Sequence, residues 1–360
     1  MEFRYSSIVD LPVSQTLDLS LDVPIRVHKS KHLEDYGAIK AQHYWAKNIG
    51  HLPLVDGSPV FKGSIGPQTG AYISFVNEFE FLYDDWVEAM EQTESDARAD
   101  ARVEVFNLFE QFASAPPQPS AVSDLESASS PISAIKKIQT NLIRQAFEID
   151  RPCASWTVKI WSKWAEHGMN RQRDAAFGFT KLEDYYDYRY HEIGTALMMF
   201  QIAFGMGLMS PEEEHELLFE LHRPAWISIA LANDIFSYEK GRRLVESLDK
   251  SVGYTEPSNA IPIAMRLFSV DLETAHAVAR AEAKKYAVEY IRNFEVYKNR
   301  KDLSVDFKKY LEAMLYAISG NIGLSLDVPK YNPERTYNER QLEWMSKGVP
   351  DRRPSVGIAA

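Results

Sequence analysis

Three acidic residues stand together in the run Phe81-Leu82-Tyr83-Asp84-Asp85-Trp86-Val87-Glu88, in the order D-D-x-x-E. At about 100° per residue, a helix sets Asp84 and Glu88 roughly 40° apart on one face, with Asp85 beside them. Carboxylates this close repel one another unless a cation sits between them. Mg²⁺ suits such a set, because it takes hard oxygen ligands, keeps several waters and bridges to phosphate. Phe81, three residues before Asp84, falls on the same side, as expected of a face that lines a cavity. The plainer alternative is an exposed acidic helix end.

A second run, AWISIALANDIFSYEKG from Ala225 to Gly241, leads small and apolar residues into Asn233, Ser237 and Lys240, which fall within about 60° of one another on a helical wheel. Asn and Ser side chains are neutral oxygen ligands, and Lys240 is a point charge suited to phosphate. Trp226, seven residues before Asn233, shares that face, so an aromatic again lies one level below oxygen donors. The competing reading is an Asn-Asp interruption with a polar tip. Arg189 lies in the tyrosine-rich run YYDYRYHEIG, residues 185–194. Its guanidinium fork fits bidentate binding of diphosphate oxygens, against the plainer role of a surface salt bridge. Gly194 costs about 1 kcal/mol relative to Ala inside this otherwise strong helix, so a local break that exposes backbone carbonyls is expected there.

The elements that must position these groups are helices. Apolar residues recur at helical spacing over about 69–96, 99–113, 131–149, 154–168, 182–208, 212–222, 224–248, 258–268, 271–297 and 304–325, while strand-like alternation is scarce. The predicted fold is an all-α bundle. Ser210-Pro211 followed by Glu212 to Glu214, and Ser304-Val305-Asp306, read as helix starts. The stretch 113–131, rich in Ser, Ala and Pro, reads as a mobile loop inside one domain, because the helical period continues on both sides. The segment from about 327 to 349 is polar and aromatic without clear period.

Composition narrows the chemistry. Apolar residues make up 45% of the 360-residue chain and aromatics 12%, enough for a substantial core. With 51 acidic against 40 basic residues and a net charge of −11, nucleic acid and anionic membranes are disfavoured as main partners, so an anionic substrate needs a local cationic device. The lone Cys153 permits no internal disulfide and no cysteine-based zinc site, which fits a reducing, cytoplasmic setting. No apolar stretch reaches the length of a signal peptide or a membrane span.

Taken together, the aspartate-rich run, the Asn/Ser run and the upstream arginine resemble the class I terpene synthases. Nearly the whole chain, residues 1–349, is similar to the cyclase domain of the fungal bifunctional terpene synthases. The likeness is carried by MEFRYSSIVD, LEDYGAIKAQHYWAKNIG, NEFEFLYDD, YRYHEIG, AWISIALANDIFSYEK and KKYLEAMLYAISGNIGLSLDVPKYNPERTYNERQLEWMSKGVP. The resemblance implies a class I terpenoid synthase bundle around a central active-site cavity and a site that uses three Mg²⁺ ions. By it, Asp84, Asp85 and Glu88 hold metal on one side of the diphosphate and Asn233 and Ser237 on the other. Arg189, Lys240, Lys330 and Tyr331 grip the leaving group. Phe81 and Trp226 stabilise cationic intermediates through their π faces, at about 0.5–2 kcal/mol each. It further implies geranylgeranyl diphosphate as substrate, geranylfarnesyl diphosphate second, and a polycyclic hydrocarbon product. A prenyltransferase domain of the same polypeptide would follow, with 350–360 as the beginning of the linker to it, and a homo-oligomer stays open.

Two departures stand out. The family's second motif ends in Glu four residues after the Ser, where this chain has Gly241, and Glu239 points roughly 120° or more away on the wheel. The family's C-terminal Arg-Tyr pair is here Lys330-Tyr331, which keeps the charge and loses the fork. Gly241 thus keeps open an impaired cyclase that binds isoprenoid diphosphate or serves assembly. A prenyl-chain elongase is the other competitor, disfavoured because such enzymes carry two aspartate-rich motifs and the second here reads NDIFS.

Overall fold

The computed structural model describes residues 6–49, 70–90, 131–159, 178–247, 259–328, 331–332, 334 and 337–350, with side chains set aside at 71, 84–90, 244 and 247. The predicted helix over 99–113, nearly all of the predicted loop over 113–131, and the final residues 351–360 lie outside the described residues. What is described is a helical bundle with one short two-stranded ribbon, β1 (Ser6–Val9) and β2 (Ile25–His28), antiparallel with Ser6 opposite His28. The helices follow as α1 (Val13–Thr16), α2 (Lys31–Asn48), α3 (Gly70–Met90), α4 (Pro131–Ile149), α5 (151–159), α6 (Leu182–Glu192), α7 (Thr195–Met206), α8 (His215–Ser247), α9 (Ala260–Phe268), α10 (Leu272–Tyr297), α11 (Val305–Asp327) and α12 (Glu339–Lys347).

The axis of the molecule is α8. Its 33 residues run without a break through Pro224, spanning about 50 Å. This corrects the reading of separate helices over 212–222 and 224–248. Proline removes one backbone donor, but here packing on several sides holds the helix together: α6, α9, α10 and α11 all lie against α8. Opposite it, α10 presents Ala275, Ala279, Ala283 and Ala287, buried at a four-residue spacing. Such a stripe of small side chains lets two helix backbones approach closely. Tyr290 completes the seam by donating to the carbonyl of Leu311 on α11 at 2.6 Å.

Helix ends follow the chemistry read from the sequence. The Ser304 hydroxyl accepts from the amide of Phe307 at 3.1 Å and donates to Glu214 at 2.6 Å, so one side chain caps α11 and ties it to the 3-10 turn Glu212–Glu214 that leads into α8. Between α6 and α7 the chain does break, at Gly194, with φ +79° and ψ +29°. That left-handed conformation suits glycine because it lacks Cβ. The Thr195 hydroxyl takes up the Tyr190 carbonyl at the break.

The elements before residue 69 and after 325 were not read from the helical period. The helix α2 buries Leu33, Tyr36 and Trp45, but also Glu34, Asp35 and Gln42, so it has no simple apolar stripe. Polar bonds tie it to α3 and α12: Gln42 donates to Glu78 at 2.8 Å, Ser74 donates to the Glu34 carbonyl at 2.6 Å, and Asp35 accepts from Arg340. The ribbon is short and packs against α11, where a Cβ at Gly323 would come within 2.7 Å of Ile25. The helix α12 starts with a capping box formed by Asn338 and Gln341. It lies on α2 through an edge-to-face contact between Trp344 and Tyr36 at 6.2 Å.

Candidate active site

Arg189, Asn233 and Tyr331, which are far apart in sequence, meet at one place. The Arg189 Nη2 donates to Asn233 Oδ1 at 3.0 Å, and Asn233 Nδ2 donates to the Tyr331 hydroxyl at 3.0 Å. Arg189 sits in the last turn of α6, Asn233 in α8, and Tyr331 just beyond α11. Three elements therefore converge on a cluster built from one guanidinium, one amide and one phenol.

The cluster stands on a residue the sequence reading did not single out. Asp234 is fully buried. Its Oδ1 accepts from Arg189 Nε at 3.0 Å and Nη2 at 2.9 Å. Its Oδ2 accepts from the Tyr185 hydroxyl and, at 3.0 Å, from the amide of Ala260 at the start of α9. Glu192 pairs with Arg189 Nη1 from one turn further along α6. Asn259 caps α9 by accepting from the Ile261 amide at 2.9 Å, and its side-chain amide donates to the Asp234 carbonyl at 2.9 Å. The signal for Tyr185 was present in its four-residue spacing from Arg189, which puts both on one face of α6. Asp234 gave no such signal, because only the packing of α6 and α9 on α8 reveals what it touches.

Burial and pairing compete in this cluster. Burial pushes the Asp234 carboxyl upward from the ordinary carboxylate range, and Arg189, the Tyr185 hydroxyl and the Ala260 amide pull against it. For Arg189, burial works against charge, but Asp234 and Glu192 beside it hold the guanidinium well above its usual value. The result is a fixed cation with a rigid foundation. A guanidinium held from behind by a buried carboxylate is preorganised for anion binding, because its orientation is already set.

The remaining candidates are distributed as follows. Ser237 and Lys240 lie half-buried on α8, one and two turns beyond Asn233. Gly241 continues that helix, and Glu239 is exposed and paired with Arg242 at 2.8 Å, turned away from the position that lacks a carboxylate. Trp226 is enclosed in the core, with its ring edge-on to His222 at 6.4 Å. Phe81 is half-buried on α3. The backbone of α3 carries Asp84, Asp85 and Glu88 in its last turns, but their side chains, and Lys330, lie outside the described residues. Among the described residues no three His, Cys, Asp or Glu side chains gather as a metal site. Asn233 and Ser237 are hard, neutral oxygen donors one helical turn apart, a donor pair that fits Mg²⁺ while supplying no charge. Cys153 is no competing nucleophile: it is buried, and burial, with Asp150 and Asp306 adding to it, pushes its thiol up to about 12.

Residues 76–298 match the family described as terpene synthase family 2, C-terminal metal binding. The chain is 34% identical to fusicoccadiene synthase of Phomopsis amygdali over 97% of its own length and 48% of that protein. It is 32% identical to a bifunctional type I diterpene synthase of Aspergillus flavipes over 99% and 45%, and 31% identical to a bifunctional sesterterpene synthase of Aspergillus aculeatus over 100% and 49%. The chain thus spans about half the length of each of these relatives. Among solved structures, aristolochene synthase from Penicillium roqueforti superposes with a TM-score of 0.56 at 18% identity, covering 80% of this chain and 93% of that one. An α-eudesmol synthase does so with a TM-score of 0.57 at 16% identity over 82% and 95%. The all-α terpenoid synthase fold expected from the sequence is the fold of this chain. No helix among the described residues is long and apolar enough to cross a membrane.

Proposed function

The chain belongs to terpene synthase family 2, and from that membership we propose that it is a Mg²⁺-dependent cyclase that ionises a linear isoprenoid diphosphate and closes the carbocation into a polycyclic hydrocarbon. Geranylgeranyl diphosphate is the proposed substrate and geranylfarnesyl diphosphate the second choice, in keeping with relatives named as diterpene and sesterterpene synthases. The observation that carries the reading is the meeting of Arg189, Asn233 and Tyr331 over the buried Asp234. In this chain of net charge −11 Arg189 supplies an oriented guanidinium, and because Asp234 and Glu192 already pair with it, Lys240, Lys330 and bound Mg²⁺ would supply the positive charge an anionic substrate needs.

In this reading Asn233 and Ser237 would hold Mg²⁺ from α8, and Asp84, Asp85 and Glu88 would hold it from α3, with three ions proposed in all. Bound Mg²⁺ would neutralise the charge that develops on the diphosphate as the allylic C–O bond breaks. Arg189, oriented by Asp234, would exchange its Glu192 and Asn233 contacts for the diphosphate oxygens, and Tyr331, Lys240 and Lys330 would complete the grip. Phe81 and Trp226 face the carbocation, and the apolar surroundings exclude the water that would quench it. A prenyltransferase domain of the same full-length polypeptide would supply the substrate.

A second reading is favoured by one observation. Gly241 brings no ligand, and Glu239 is committed to Arg242, so the Asn/Ser side lacks a carboxylate and the domain would be an impaired cyclase. Incubation of the purified chain with geranylgeranyl diphosphate and Mg²⁺, followed by mass spectrometry of the hydrocarbon extract, separates the two. A cyclic hydrocarbon is expected. Gly241→Glu should lower the Mg²⁺ concentration for half-maximal activity by about tenfold, by adding a charged ligand. Product from Gly241→Glu and none from the native chain would favour the impaired cyclase.

A further inference from the structure

The helix α12 is held by polar bonds as well as by the packing of Trp344 on Tyr36. It buries none of its residues fully, so it adds little to the core. The protein nevertheless gives it a buried carboxylate: Asp35 of α2, only 4% exposed, accepts from Arg340 at 2.6 Å and from Gln341 at 2.9 Å. His43 of α2 meets the Trp344 carbonyl at 2.8 Å. A carboxylate withdrawn from water needs such partners, and two charge-assisted bonds to one helix fix its position strongly.

A matching anchor lies at the other end of the same segment. Where α11 ends, the Asn332 side chain donates to the carbonyls of Ser325 at 2.7 Å and Val328 at 3.2 Å, satisfying acceptors a helix terminus leaves open. The amides of Tyr331 and Asn332 turn back onto the Val328 carbonyl at 3.2 and 3.1 Å. Between Asn332 and α12 the chain has no regular element among the described residues. Tyr331, the residue that reaches Asn233, sits immediately beside the first anchor.

We propose that Asn332 and the Asp35-Arg340-Gln341 clasp form a two-ended mount that holds Tyr331 against Asn233, making Asn332, Asp35 and Arg340 positioning residues for the diphosphate grip. The inference rests on the role assigned above to Tyr331 in binding diphosphate. It explains why a surface helix is pinned by a buried charge: the clasp keeps the segment that carries Tyr331 from swinging off the site. It also makes the N-terminal helix α2, remote in sequence from the site residues, part of the machinery that shapes it.

The test is a double-mutant cycle read by calorimetric binding of inorganic pyrophosphate with Mg²⁺, alongside kcat and KM for geranylgeranyl diphosphate. Tyr331→Phe should weaken pyrophosphate binding about fivefold to tenfold, the loss of one hydrogen bond. Arg340→Ala and Asn332→Ala, at opposite ends of the mount, should each weaken it in the same direction. Each combined with Tyr331→Phe should bind no more weakly than Tyr331→Phe alone. Additive losses, or Arg340→Ala and Asn332→Ala variants that bind as the native chain does while Tyr331→Phe is weakened, overturn the mount and leave the role of Tyr331 standing. Native binding by Tyr331→Phe overturns both. Because the two anchors are separate, a folding failure of either variant leaves the other to decide.

Discussion

Two buried polar clusters tie α6 to α8, about twelve residues or roughly 18 Å apart along α8. At one, Asp234 and Arg189 bring full charges out of water and satisfy them with Tyr185, Glu192, Asn233 and the Ala260 amide. At the other, His222 is completely buried between the hydroxyls of Tyr190, at 2.8 Å, and Tyr310, at 3.3 Å. Burial lowers its pKa from 6.5 to about 3, so the imidazole is neutral at neutral pH. The first cluster bears charge and the second avoids it. In the proposed reaction this division sets an oriented guanidinium at the diphosphate and a neutral imidazole beside Trp226.

The comparison is most directly broken at Asp234. Asp234→Ala leaves the buried Arg189 without its main partner and strands the Ala260 amide and Tyr185 hydroxyl, so a loss of about 3–5 kcal/mol is expected in denaturant unfolding. If it costs no more than His222→Phe, which removes only neutral hydrogen bonds, the contrast between the clusters fails.

The His222 cluster is sharpened by pH. Its folded pKa is depressed, so between about 6.5 and 3 the unfolded chain binds a proton that the folded chain refuses. The stabilisation is complete above the unfolded value and is lost as pH falls. Lowering the pH from 7 to 5 should therefore cost about 2 kcal/mol from this residue. His222→Gln should remove that part of the pH dependence while keeping side-chain hydrogen bonds, and unfolding of both proteins at the two pH values measures the difference.

The smallest effect belongs to the break at Gly194, just beyond the α6 residues of both clusters. A Cβ there meets nothing within 4 Å, so Gly194→Ala pays only for the left-handed backbone, about 1–2 kcal/mol. Gly194→Asn should cost less, because Asn tolerates that conformation better. Thermal unfolding of the two variants ranks them, and equal costs would show that the break does not depend on backbone strain.

How much was legible beforehand depended on whether a feature was local. The helical period found α4, α9 and α10 closely, and the poor helix propensity of Gly194 marked the break after Glu192. Arg189, Asn233 and Tyr331 were read as parts of one site, and the structure brings those three together. In contrast, α2 went unread because its buried Glu34, Asp35 and Gln42 look exposed in a linear pattern. The separation of 212–222 from 224–248 did not hold, because the helices packed around α8 carry it through Pro224.

The sequence by itself determined the bundle, the acidic and Asn/Ser runs, the arginine and the glycine that interrupts its helix, since each follows from residue type and spacing of a few positions. Only the tertiary structure decided that Asp234 is the buried foundation of Arg189, that His222 is kept neutral, and that Asp35 reaches across to the C-terminal helix. Each of these depends on which groups surround a side chain once water is removed. That is a property of elements brought together from distant parts of the chain, and no local spacing records it.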